Sequence, residues 1–176
     1  MNAMALDIPV LETERLRFRM LTMDEYEAEC AFYATDRSVG VGGPHTPREV
    51  WRTLSFLIGH WVIHGYGMWA LEDKATGQYM GRAGFLNPGD WPEPEIGWTL
   101  MEHAEGKGLA YEAALAVRRF AYETLGWTTA ISLIKADNAR SAALAQRLGC
   151  TRDGVFHHAI AGEVPVWRHP GPEALA

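Results

Sequence analysis

Residues 95–113 read EIGWTLMEHAEGKGLAYEA, and this stretch decides the fold of the whole chain. Its first six residues alternate. Glu95, Gly97 and Thr99 fall on one face and Ile96, Trp98 and Leu100 on the other, the period of a strand. From Leu109 the period changes, and Leu109, Ala113, Val117, Phe120 and Thr124 recur at helical spacing up to a stop at Gly126. Between the two patterns, Glu105-Gly106-Lys107-Gly108-Leu109-Ala110 turns a strand directly into a helix. Glycine leaves the backbone N–H groups of such a turn uncovered and the helix dipole adds positive potential, so the turn is a candidate seat for a pyrophosphate. It is neither a GxxxxGK[ST] loop nor a GxGxxG fingerprint, which would need glycine at Tyr111.

Upstream, Arg15-Leu16-Arg17-Phe18-Arg19-Met20 alternates perfectly, which predicts a half-buried strand with the three arginines on its solvated face. Thr22-x-x-Glu25 is a capping box opening a helix to about Tyr33. Residues 36–44, DRSVGVGGP, form a glycine-rich loop, and Thr46-Pro47-Arg48-Glu49 starts a second helix running from Pro47 to about His64. Two helices joined by such a loop suit a lid. Runs 67–72 and 78–86 are strands around a hairpin loop at 73–77, and the connector 87–94, NPGDWPEP, can be neither helix nor central strand.

Downstream, Ile131 and Leu133 mark a fifth strand. Ser141, Leu144, Ala145 and Leu148 mark a short helix stopped by Gly149, and 155–160 with 164–168 close a hairpin about Ala161-Gly162. Residues 1–9 read as a loose leader to a single domain spanning 1–176. This order predicts an α/β fold, a mixed and mostly antiparallel central sheet of about seven strands flanked by helices.

Composition excludes several functions. The 176 residues carry 16 Lys+Arg against 22 Asp+Glu, a net charge of −6, and lack the basic footprint of a nucleic-acid partner. The N-terminus has no apolar core of a signal peptide, and the most apolar stretch, 56–71, is broken by His60, His64 and glycines, so no membrane partner is expected. Cys30 and Cys150 are far apart and form no metal-ligand or redox spacing, which places the chain in the cytoplasm. His60 and His64 have a chelating spacing, but no HExxH and no third ligand accompany them, so no metal site is expected.

The stretch 95–113 resembles the acetyl-CoA-binding segment of the GNAT N-acetyltransferase superfamily, and within it the RimJ/RimL-like branch, where a strand EIGYWL is followed by GKGYATEA. Glu95, Ile96, Gly97, Leu100, Gly106, Lys107, Gly108, Ala110, Glu112 and Ala113 match without a gap. The opening TERLRFR at 13–19 is similar to the first strand of that branch, and Asn138-Ala139-Arg140-Ser141 through Leu148-Gly149-Cys150 to its NxxSxxLAxKxGF helix. The resemblance implies the GNAT fold and acetyl-CoA as co-substrate. It implies direct transfer of an acetyl group to a primary amine, on a small molecule or a protein N-terminus, in a ternary complex without metal. Dimers are frequent in the family, and the terminal strands could mediate one.

Residue by residue, the resemblance places the cofactor at Leu100, Met101, Glu105, Gly106, Lys107, Gly108, Leu109, Ala110, Asn138 and Ser141. A backbone N–H around Leu100 would meet the oxyanion, Glu95 would act as base and Ser141 as acid. Each has a plainer reading: Glu95 as an exposed strand-entry residue, Ser141 as a first-turn helix residue and Asn138 as an N-cap. Asp90 and Glu93 are weaker candidates for the base, and with Glu95 they would give the cleft its acidic charge. Trp91, Trp98 and one of His157 and His158 border the expected acceptor cleft.

Three positions depart from the family pattern. Glu105 replaces a usual Gln or Arg and would have to point away from a pyrophosphate. Cys150 replaces a Phe, as a small buried hydrophobe. Ala145 stands where many relatives carry the tyrosine that protonates the departing thiolate. An alternative is therefore a non-catalytic acyl-CoA-binding module of the same fold, with a zinc hydrolase a distant third.

Overall fold

The computed structural model describes residues 7–175 and joins eight strands into one sheet. In chain order these are β1 (Leu11–Glu12), β2 (Leu16–Met20), α1 (Tyr26–Tyr33), α2 (Pro47–His64), β3 (Met68–Asp73), β4 (Tyr79–Leu86), β5 (Glu95–Leu100), α3 (Leu109–Glu123), β6 (Ile131–Leu133), α4 (Ala139–Arg147), β7 (Thr151–His158) and β8 (Gly162–Arg168). The strand order is β1-β2-β3-β4-β5-β6-β8-β7, antiparallel except where β5 meets β6. The strand beyond the expected seven is β1, two residues long, too short for a periodic signal.

Local chemistry explains the boundaries. Both capping boxes form, Thr22 with Glu25 and Thr46 with Glu49, and α2 ends at Gly65 in the left-handed region. The loop expected at 36–44 contains a 3-10 turn, Asp36–Val41. Of the expected leader, residues 1–6 lie outside the described residues, while Ile8 packs against the core and the Pro9 carbonyl accepts from Trp69 Nε1 at 2.8 Å.

The sheet separates two layers. On one face, Leu109, Ala113, Val117 and Phe120 of α3 cover Phe18, Trp69, Phe85 and Ile96. On the other, Leu54 and Leu57 of α2 cover Met68 and Ala70, the alternate residues of β3. Burial of these side chains, at about 1.5–3 kcal/mol each, is the main force holding helices to sheet. No helix among the described residues is long and apolar enough to cross a membrane.

Candidate active site

The site begins where the sheet opens. β5 and β6 run parallel, yet only Glu95 pairs with Ile131 before the strands part. The ladder on the other side of β5 dictates which backbone groups face the gap. Glu95, Gly97 and Thr99 sit opposite Leu86, Gly84 and Arg82, and Met101 N–H donates to Met80 O at 2.9 Å in the same phase. Alternate residues of an antiparallel strand bond to one neighbour, so Ile96, Trp98 and Leu100 turn their N–H and C=O groups toward the gap. Two side-chain bonds mark this direction: Ser132 Oγ donates to Ile96 O at 2.6 Å and Arg37 Nη2 to Leu100 O at 3.3 Å. The remaining N–H groups of Trp98 and Leu100 offer an extended ligand the pairing of an added strand.

Glu95 lies at the apex of this opening and is buried rather than exposed. Its Oε2 accepts from Trp91 Nε1 at 2.6 Å and its Oε1 from Leu133 N–H at 3.0 Å. The carboxylate thus gives Leu133 N–H an acceptor where the strands diverge. Burial pushes the Glu95 carboxyl up to about 7, with the Trp91 and Leu133 bonds acting in the opposite direction. A carboxyl poised near neutrality is suited to carry protons at physiological pH.

Two cavities meet at the opening. One, about 530 Å³, is lined by Glu95, Trp91, Phe156, His158 and Arg82, and the other, about 410 Å³, runs along the glycine turn and α4. They share Gly40, Val41, Trp98, Thr99, Asn138 and Ser141. A ligand filling the second cavity would present its end to a ligand in the first at Thr99 and Ser141.

Of the residues assigned to the cofactor from sequence, Leu100, Glu105, Gly106, Gly108, Leu109, Ala110, Asn138 and Ser141 line the second cavity. Met101 and Lys107 do not. Met101 continues the ladder to β4 and buries its side chain with Phe32, Tyr33 and Val50, while the Lys107 carbonyl is held by Arg15 Nη1 at 2.8 Å. Gly108, at φ +77°, occupies the left-handed region that favours glycine and starts α3. Arg15 belongs to the expected solvated face of its strand but instead braces this turn, tied to Glu112 Oε2 by Nε at 2.7 Å. Glu112 Oε1 accepts from Thr13 Oγ1 at 2.6 Å. This ties the TERLRFR opening to the glycine turn, a partnership invisible to periodicity.

Glu105 differs from expectation. Its carboxylate does not turn away from the groove; it bridges Arg37, from the 3-10 turn, and Arg140, from α4, across the groove's lining. The position carries an acid in place of the usual Gln or Arg and gathers two cations, neither of them among the site residues expected from sequence. Arg140 lay inside the quoted NARS motif; Arg37 had no signal at all.

Asn138 Oδ1 accepts from Ser141 N–H at 3.1 Å, so the N-cap reading holds for Asn138 while both residues also line the junction of the cavities. Gly40 approaches Asn138 so closely that a Cβ there would sit 2.5 Å from Nδ2. Lys135 Nζ adds a bond to Val39 O at 3.0 Å, which holds the 3-10 turn over the junction. Ala145 is fully buried among Ala114, Ile134 and Leu144. Cys150 is buried in the same cluster, and burial pushes its thiol up to about 11.

The weaker candidates separate. Glu93 is spent on a two-pronged pair with Arg168, Oε2 to Nη1 at 2.5 Å and Oε1 to Nη2 at 2.7 Å, so it contributes no free charge to the cleft. Asp90 sits 3.5 Å from His158 Nε2. His158 lines the larger cavity; His157 is exposed. His60 bonds Tyr66 O at 2.8 Å through Nδ1 and accepts Asn87 N–H at 2.9 Å through Nε2, leaving no ring nitrogen for a metal. Among the described residues no group of three metal-ligating side chains occurs.

Sheet, strand opening and glycine turn define an acyltransferase architecture, and comparison with known proteins agrees. The family described as "Acetyltransferase (GNAT) domain" matches residues 15–151. The crystal structure of an acetyltransferase from Agrobacterium tumefaciens is 36% identical, with a TM-score of 0.86, covering 96% of this chain and 98% of that one. An uncharacterized N-acetyltransferase of Bacillus subtilis, YoaA, is 24% identical over 152 residues, 84% of this chain and 86% of its own. RimL, a ribosomal alpha-N-protein acetyltransferase solved in complex with coenzyme A, shares the fold at 16% identity and a TM-score of 0.70, covering 92% of this chain and 96% of its own. The chain belongs to the GNAT acetyltransferase family and shares its fold with RimL. It is an acetyltransferase.

Proposed function

We propose that this chain, acting as one domain over residues 1–176, transfers the acetyl group of acetyl-CoA to a primary amine by direct attack in a ternary complex. The observation that carries the reading is Glu95. It is buried at the strand opening with a carboxyl near 7, and it lines the cavity that joins the glycine-turn groove at Thr99 and Ser141.

The groove fits coenzyme A, because uncovered N–H groups from Gly106 to Ala110 gather at the start of α3, with Arg37 and Arg140 beside them. When bound, acetyl-CoA supplies the acetyl group as a thioester. The N–H groups of Trp98 and Leu100 hold the pantetheine arm and stabilise the developing oxyanion. Glu95 takes the ammonium proton of the acceptor, directly or through a water, so that the amine attacks as the free base. The Ser141 hydroxyl, at the junction of the two cavities, passes its proton to the departing thiolate and recovers one from the nitrogen as the tetrahedral intermediate collapses.

Thiol release from acetyl-CoA over a panel of primary amines tests the reading. Turnover that depends on Glu95 supports it. Ala145, buried at the position where the family resemblance implies a tyrosine in many members, favours a second reading, a non-catalytic acyl-CoA-binding module. Tight binding of acetyl-CoA without turnover on any amine would establish that reading instead.

A further inference from the structure

We infer that the acceptor carries a carboxylate about a dipeptide's length from its reacting amine, and that Arg82 and Tyr33 read it; this rests on the proposed amine acetylation. Arg82 sits opposite Thr99 in the β4–β5 register, so its side chain shares the sheet face of Glu95. Four residues of extended strand separate Thr99 from Glu95, about 13 Å along the floor of the larger cavity. That floor is bare. Gly97 lies between them, opposite Gly84, and a Cβ on Gly97 would meet nothing nearer than Met68 Cε at 3.9 Å.

The guanidinium is built into the wall. Arg82 donates through Nη1 to Glu29 and through Nη2 to the Tyr33 hydroxyl at 2.8 Å, and Tyr79 donates its hydroxyl to Glu29 Oε1 at 2.6 Å. Arg82 and Tyr33 line the cavity, whereas Glu29 and Tyr79, which back them, do not. The cavity therefore meets the cation and not its counter-ion. A buried ion pair contributes little net stability compared with apolar residues of the same volume, so holding one in the wall of a cleft is explained better by recognition than by folding.

The donors specify the ligand. Tyr33 accepts from Arg82, which leaves its own hydrogen to donate, and three of the five guanidinium N–H groups are not used by Glu29 or Tyr33. A hydroxyl and a guanidinium converging on one spot match a carboxylate. They repel a second cationic group, which disfavours polyamines. Trp91, bonded to Glu95, and Phe156 beside it suit an apolar side chain on the acceptor near its amine. A dipeptide has these features: its extended backbone of about 7 Å, with a hydrogen bond of about 3 Å at each end, spans that floor, and a single amino acid does not.

The test compares alanyl-phenylalanine with its C-terminal amide as acceptors at pH 9, above the ordinary α-amino pKa of about 8, so that both amines are neutral. The free acid should show a kcat/KM at least tenfold higher, chiefly through KM. Tyr33→Phe, which keeps the ring, should shrink the acid-to-amide ratio severalfold toward one; a purely structural role would lower both activities together and leave the ratio intact. Equal use of the acid and the amide, or a ratio unmoved by Tyr33→Phe, overturns the inference while leaving amine acetylation standing. If neither peptide is acetylated, calorimetry of the two on the coenzyme A-loaded protein still decides: tighter binding of the acid supports the carboxylate site, and equal affinity overturns it.

Discussion

The indole Nε1–H of Trp91 donates to Glu95 Oε2 at 2.6 Å, joining the connector before β5 to the first residue of that strand. This bond opposes the effect of burial on the Glu95 carboxyl, which stands at about 7. A base works in its ionised form, so log kcat/KM should rise with pH and level off above about 7. Trp91→Phe removes the bond that lowers the pKa and should move the midpoint upward. Glu95→Gln should cut kcat by about 100-fold or more. The pH–rate profiles of the three proteins check both statements, and a midpoint unchanged in Trp91→Phe would detach the indole from the titration.

Arg168 acts one step further out. Its guanidinium grips Glu93 with two bonds and reaches Asp153 at 2.7 Å through Nε, fastening the connector that carries Trp91 to β8 and β7. Arg168→Met should lower kcat about tenfold, the loss expected when a general base is held less well. Hydrogen exchange at Trp91 should accelerate in parallel; a slowed enzyme with unchanged exchange would show that Arg168 acts by another route.

On the proposed reading, the glycine turn and its arginines govern cofactor affinity. Gly108 adopts φ +77°, which costs a branched residue about 1–2 kcal/mol, so Gly108→Val should weaken acetyl-CoA binding about tenfold. Glu105→Gln removes the carboxylate that competes for Arg37 and Arg140, and should tighten binding severalfold at low salt and less at high salt. Calorimetry at two ionic strengths measures both.

His169 makes the fold acid-sensitive. Burial, and next to it the Arg118 charge, depress its pKa to about 3, while Nε2 lies 3.0 Å from Ser132 Oγ. Below about 6.5 the unfolded chain binds a proton that the folded one refuses. Stability from this group is therefore lost as pH falls from about 6.5 toward 3, by up to about 1.4 kcal/mol per unit. Glu95, raised above its unfolded value, works in the opposite sense between about 4.5 and 7, so the variant has to be compared with the parent at each pH. His169→Gln, which can still donate to Ser132, should flatten the slope of urea-unfolding free energy between pH 6.5 and 4.5.

Much of the fold was legible before any coordinates. The start of α2 came from Thr46 and Pro47, and the bounds of β5 from strict alternation, because caps and periodicity act within a few residues. The candidate site was legible in part. Gly108, Asn138 and Ser141 line the groove along the glycine turn and Glu95 lines the adjoining cavity, whereas Met101 and Lys107 line neither, since a residue's number along a strand or turn does not say whether its side chain or its carbonyl meets the groove. Glu93 had the composition of a catalytic carboxylate and is instead the partner of Arg168.

The sequence by itself determined the order of the main strands and helices, the glycine turn suited to an anion, and the family that the chain resembles. The tertiary structure alone decided what each charged group faces. Glu105 meets Arg37 at a separation of 68 residues, Arg82 meets Glu29 at 53, and Leu133 finds Glu95 at 38. Such partnerships depend on sheet register and on the angle at which two strands part, and a shift of one residue would turn every side chain of a strand to the other face.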